Sequence, residues 1–136
     1  MNTVSQKQLQ ESLCNRFESI KELINADSYL THRGRFLTAD IVIQIGDVPY
    51  LVSIGNGRVS VISRKFSIFQ NRTFTLKGSL KAWSMFWELI PAAGWHDIFA
   101  LTKSGEMTLE GEMQPFFAHL QYLKDVLSKP REVGNT

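Results

Sequence analysis

A second cysteine is missing. Cys14 is the only one among the 136 residues, so no disulfide can form within the chain and the fold must hold without a covalent staple. Long apolar runs are missing as well. No stretch of about 18 apolar residues occurs, which removes a transmembrane helix. The opening MNTVSQKQLQESLC has neither an apolar core nor a small-residue cleavage site of a secretory signal. With a single thiol, these absences lead to the expectation of a soluble protein in a reducing compartment, the cytoplasm. Catalytic signatures are also scarce. His32, His96 and His119 fall in three different segments, and no HxH, HExxH or Cys/His pair occurs, so neither a metal nor a cofactor is expected. GxSxG, GxGxxG and the phosphate-loop pattern are absent; Gly55-Asn56-Gly57 suits a hairpin turn better.

What is present is an ordinary globular composition, 43% apolar and 21% charged. The length is that of a single domain, about 100–150 residues, and a chain of this size buries a core without metal or disulfide. Charge is unevenly spread. Residues 31–81 carry Arg33, Arg35, Arg58, Arg64, Lys65, Arg72, Lys77 and Lys81 against Asp40 and Asp47, whereas residues 82–136 are net acidic. A basic middle can be a solvated sheet face, or it can meet phosphate. Arg58 and Arg64 are expected on the exposed face with Ser60, where they could make a weak contact with an anionic membrane. Nucleic acid is not expected as a partner. Phe66 and Phe69 lie near Arg64, Lys65 and Arg72, but Phe74 is expected to point inward.

Periodicity predicts the elements. Leu9, Leu13, Phe17, Ile20 and Ile24 line one face of a helix over 5–26. Strict alternation over 37–64, with turns at Gly46-Asp47 and Asn56-Gly57, predicts a three-stranded antiparallel meander. There Ile41 and Ile43 face opposite Val42 and Gln44, and Val59 and Val61 share a face. Residues 72–78 give a fourth strand with Phe74 and Leu76 inward. Ser79 caps a helix over Leu80–Ile90, which Pro91 stops. That helix is apolar nearly all round. A short helix over Trp95–Lys103, a fifth strand over Glu106–Glu110 with Met107 and Leu109 inward, and a helix over Met113–Leu127 follow. The core is expected over about residues 8–128 of one domain, with 129–136 as a loose tail.

Two polar pairs are poor catalysts. Glu110 and Glu112 could share a strand face, but Gly111 is expected to end the strand first. His96 and Asp97 are adjacent and diverge on a helix, where Asp97 favours the N-terminus electrostatically. The informative feature is aromatic. Trp83, Phe86, Trp87, Trp95, Phe99, Phe116, Phe117 and Tyr122 lie within 40 residues of one another. They can be ordinary core, or part of the surplus can wall an apolar cavity. The expected lining is Trp83, Phe86, Trp87, Ile90, Phe99, Phe116, Phe117 and Leu120.

The order of elements resembles the sterol carrier protein type 2 family of lipid-transfer domains. The resemblance is carried by the opening helix, TADIVIQI (38–45), VSIGNGRVSV (52–61), FTLKGSLKAWSMFW (74–87) and GEMTLEGEM (105–113) before the last helix. Two departures stand out. The Gly-Asp often found before that helix is Gly111-Glu112, and the acidic residue often found entering the fourth strand gives way to Asn71-Arg72. The resemblance implies an α+β fold, a single five-stranded, mainly antiparallel sheet with helices packed on one face. It also implies a tunnel between sheet and helices for sterols, fatty acids, acyl-CoA or other lipids, and no catalysis. Two other classes stay open. One is a small cone-shaped enzyme of the steroid-isomerase type, with Asp40 or His32 as the buried acid or base. The other is an interaction module or homodimer that buries its aromatics in a partner.

Overall fold

Alternating residues over 39–63 and two tight turns produce the sheet's first three strands, and everything else packs on them. The computed structural model describes residues 3–67 and 70–133; Phe69 and the end of the expected tail, 134–136, lie outside the described residues. The chain runs α1 (Thr3–Glu18), α2 (Ile20–Ala26), α3 (Ser28–Arg33), β1 (Ala39–Ile45), β2 (Val48–Gly55), β3 (Arg58–Ser63), β4 (Phe74–Gly78), α4 (Leu80–Phe86), α5 (Ile98–Ser104), β5 (Met107–Gly111), α6 (Met113–Ala118), α7 (Leu120–Leu127) and α8 (Pro130–Val133). The five strands form one mixed sheet in the order β3-β2-β1-β4-β5. Only β1 and β4 pair in parallel; the other three pairs are antiparallel. The fold class is α+β, as expected.

Side-chain alternation sorts the two faces. Ile41, Ile43, Ile45, Tyr50, Val52, Ile54, Phe74, Leu76 and Met107 are buried beneath the helices. Val42 and Leu51, opposite each other on the other face, are buried too, beside Thr75. That face was expected to be solvated. β3 is an edge strand, and β2 and β1 lie between it and β4, so the connection between them passes two strands. Ser60 adds a further departure. Ser53 pairs with Val61 and Ile54 with Val59, so Ser60 is an extra residue in β3, a β-bulge. The bulge reverses the alternation: Val59 is buried, whereas Val61 is turned outward, 40% exposed.

Helices expected to be continuous are broken. The first divides at Ser19, and the last divides at His119, although Leu13, Phe17, Ile20 and Ile24 still form one buried stripe. Asp27 starts α3 by accepting the Leu30 N–H at 3.1 Å. Ser79 does the same for α4 through the Ala82 N–H at 3.0 Å. A Cβ on Gly78 would lie 2.5 Å from Trp83 Nε1, so glycine lets the indole lie on the strand end, where it donates to the Gln44 carbonyl at 2.9 Å. Residues 129–133, expected in a loose tail, are instead docked. Lys129 is nearly buried and pairs with Asp27 at 2.9 Å and Glu132 at 3.1 Å, and α8 follows. The attraction is specific: the Arg16 guanidinium donates to the Pro130 carbonyl, and Arg131 donates to that of Phe86.

Candidate ligand-binding groove

The last third of the chain opens an apolar groove at the β5 edge of the sheet. Asp97 caps α5 by accepting the Phe99 N–H, and Gly105 ends it at φ 86, turning the chain straight into β5. Gly111, at φ 104, turns it again into α6, and a Cβ there would meet the Thr73 carbonyl oxygen at 2.8 Å. The three elements leave a space of about 370 Å³ between them, lined by Phe99, Thr102, Lys103, Gly105, Met107, Thr108, Leu109, Met113 and Phe117. This is within the size range of small-molecule sites, about 300–1,000 Å³. Met107 is buried at its floor; Met113 and Phe117 are half exposed at its mouth. Phe99 meets Phe117 edge to face at 5.8 Å, Phe117 meets Phe116 at 5.3 Å, and Phe116 meets Phe74 at 5.5 Å. A row of rings thus runs from the groove into the core. The one charged group in the lining is Lys103, whose ammonium sits 5.4 Å from the Phe99 ring centroid.

Of the eight residues expected to line a cavity, only Phe99 and Phe117 do so here. Trp83, Phe86, Trp87 and Phe116 are core, each at most 1% exposed. Trp87 lies between Phe17, stacked at 6.0 Å, and Trp83, tilted at 4.9 Å, and its Nε1 donates to the Leu127 carbonyl at 2.7 Å. These rings occupy the space between sheet and helices that a tunnel would need. Leu120 packs half-buried against the core at the start of α7. Ile90 is 87% exposed, because α4 ends at Phe86 and leaves it in a loop. The residues missed were Thr102, Lys103, Gly105, Thr108 and Met113; Met107 and Leu109 were expected inward but not at a site. The usable signal was Gly105, a turn that brings a helix back along the edge strand it precedes.

A second group of titratable side chains lies elsewhere. The Tyr50 hydroxyl donates to the Glu18 carboxylate, which also accepts from Arg64 at 2.8 Å. Arg64 reaches Glu11 at 3.5 Å and lies over the Tyr50 ring at 5.5 Å. The Tyr50 bond, opposed by burial and helped by Arg64, holds the Glu18 carboxyl below its ordinary range. Burial pushes the Cys14 thiol up, against its hydrogen bond with Tyr50. The group fastens α1 to β2 and to the exit of β3. It also takes Arg64 out of the exposed basic face on which it was expected, leaving Arg58 there. Asp40 is half-buried on β1, beside Arg72 and Glu112, and His32 is exposed on α3; neither lines the groove.

The backbone arrangement decides the likeness. No protein-family model matches the sequence, and no protein of curated function aligns with it. Solved structures do match. Sterol carrier protein 2 superposes with a TM-score of 0.64 at 12% identity, over 92% of this chain and 95% of its own. The fold is that of sterol carrier protein 2. A conserved protein of Thermus thermophilus, described as possibly a sterol carrier protein, matches with a TM-score of 0.62 at 11% identity, over 85% of this chain and 86% of its own. The UbiJ-SCP2 ubiquinone synthesis protein matches at 0.54 and 14% identity, over 84% and 94%. In the sterol-carrier frame, the mixed sheet with helices is the shared part. Among the described residues no helix is long and apolar enough to cross a membrane.

Proposed function

We propose that the protein binds an apolar or amphipathic small molecule, fatty-acid-like or sterol-like, in the groove between α5, β5 and α6, and carries it without changing it. The observation behind this reading is the groove itself: Phe99, Met107, Leu109, Met113 and Phe117 supply apolar wall and Lys103 the only charge. The lining contains no carboxylate, imidazole or thiol, and the acid or base an isomerase reading would use, Asp40 or His32, lies outside it. The sterol-carrier likeness supports the same class of ligand. Lys103 at the mouth favours an anionic head, with the apolar tail towards Met107.

A fluorescent fatty acid tests this through its own emission, since no tryptophan lines the groove. Binding is expected at micromolar levels, about −8 kcal/mol. Phe117→Asp, at a half-exposed position, should lower affinity by about 10-fold or more, with a stability loss of about 1–3 kcal/mol for the ring contacts with Phe99 and Phe116 that urea unfolding measures separately. Lys103→Gln should weaken a fatty acid but not the corresponding alcohol. No uptake by the wild-type protein, or equal uptake by Phe117→Asp, would overturn the carrier reading.

A further inference from the structure

The loop between α4 and α5 exposes apolar side chains that serve no purpose in the fold. Leu89 and Ile90 are 78% and 87% exposed, and Ala92, Ala93 and Gly94 behind them are exposed as well. From Leu89 to Trp95 the chain carries no charge. The loop is nevertheless held in shape. The Trp95 N–H donates to the Ala92 carbonyl at 3.0 Å, closing a tight turn with Gly94 at φ 87. Both stems are fastened to the body. Arg131 donates to the Phe86 carbonyl at 2.7 Å and to that of His96 at 3.3 Å, and Arg16 donates to that of Trp87 at 2.8 Å. The base is therefore fastened, which lowers the backbone ordering cost of presenting the tip.

Lys81 lies 5.3 Å from the Trp95 ring centroid, and among the described residues neither Lys81 nor Arg131 pairs with a carboxylate. Of the loop's two acids, Asp97 pairs with Lys124 at 3.2 Å and Glu88 bears electrostatically on Arg16. An uncharged aliphatic tip, with a half-buried tryptophan at its base and the Lys81 ammonium beside that tryptophan, is the order met on entering a bilayer interface. A protein partner fits less well. A stable protein interface takes about 800 Å² from each side, far more than two aliphatic side chains and a few small residues provide.

We propose that Leu89 and Ile90 insert into the interfacial region of a lipid bilayer, with Trp95 and Lys81 at headgroup level, and so dock this protein on membranes. Insertion is driven by apolar contact, so it does not need anionic lipid. α5 begins three residues after Trp95 and forms one wall of the groove, so docking brings the groove's own element to the membrane.

The test is co-sedimentation of the full chain with vesicles of phosphatidylcholine alone and with added phosphatidylglycerol. Wild-type protein should bind both, and binding to phosphatidylcholine should persist at high salt. Leu89→Asp with Ile90→Asp should reduce partitioning by about 10-fold or more, with an unchanged melting temperature and unchanged uptake of a fluorescent fatty acid in the groove. Lys81→Glu should weaken only the binding to phosphatidylglycerol vesicles. Cys14 is buried, so a fluorophore on Ile90→Cys labels the tip alone and should shift to the blue on vesicles. No vesicle binding, or binding unchanged in the double variant, overturns the proposal. So does a wild-type dimer that the double variant converts to monomer without any vesicle effect, which would assign the loop to a second copy. Vesicle binding by a protein that takes up no fatty acid would leave the docking loop standing and remove the carrier reading.

Discussion

Replacing Trp87 by alanine should cost about 3–5 kcal/mol of stability and leave the groove's affinity nearly untouched. The indole is fully buried, stacked on Phe17 and against Trp83, so its removal leaves a cavity lined by rings that cannot collapse together. The Leu127 carbonyl also loses its indole donor, and an unpaired buried acceptor costs about 1–3 kcal/mol by itself. Urea unfolding of the variant measures the loss. Fatty-acid binding below the unfolding transition measures the affinity, which should stay within about twofold because Trp87 does not line the groove. A loss under about 1 kcal/mol together with a tenfold change in affinity would return Trp87 to a ligand site and overturn the assignment of the groove.

The difference between that outcome and what the sequence implies lies in where a ring points. Trp83 and Trp87 are four apart, which places both on one face of the expected helix, and the periodicity stops there. It does not tell whether the face meets an empty wedge or a strand whose Gly78 leaves room for an indole. Nor does it show that Gln44 and Leu127 supply the carbonyls that make tryptophan stable as core. The meander was legible because its signals are local. Asn56 and Gly57 stand at φ 52 and 81, the left-handed pair that the turn requires, and the β1–β2 register follows from the alternation. Ser60 defeats the same logic, since a bulge shows no residue type that alternation can flag. α4 ends four residues before Ile90 although the sequence stays apolar up to Pro91. Two arginines distant in sequence, Arg16 and Arg131, take the carbonyls of Trp87 and Phe86 at that point. Long-range polar contacts of this kind set the loop, and with it the exposure of Ile90. The groove needed the same non-local information. Its apolar residues read as core on their own elements; only the angle between α5 and α6 over β5 leaves a gap.

Alkaline pH should unfold this protein steeply, because two of its phenols are buried as neutral donors. Tyr122 donates to the Gly57 carbonyl at 2.7 Å, and its ring lies where a Cβ on Gly34 would stand, 2.2 Å from the nearest ring atom. Burial pushes its pKa up to about 12. Burial, then the bond to Glu18, raises Tyr50 well above the ordinary range. In the unfolded chain both phenols ionise near pH 10. Below that pH neither contributes any pH dependence. Above it the unfolded state sheds protons that the folded state keeps, so stability falls as pH rises, until the folded pKa is reached. Each tyrosine contributes about 1.4 kcal/mol per pH unit, so the pair should remove about 2.7 kcal/mol for each unit above pH 10. Cys14, raised by burial, acts in the same direction from about pH 9. Urea unfolding across this range gives the slope, and tyrosinate absorbance reports which state has ionised. Tyr122→Phe should remove about half of the tyrosine slope up to pH 12, at a cost of about 1 kcal/mol near neutrality for the lost bond to Gly57. Two tyrosines that ionise near pH 10 while the protein remains folded would show that the phenols are not held as buried donors. A flat stability profile would say the same. In either case the contacts of Tyr50 with Glu18 and of Tyr122 with Gly57 would not be what fastens α1 and α7 to the sheet.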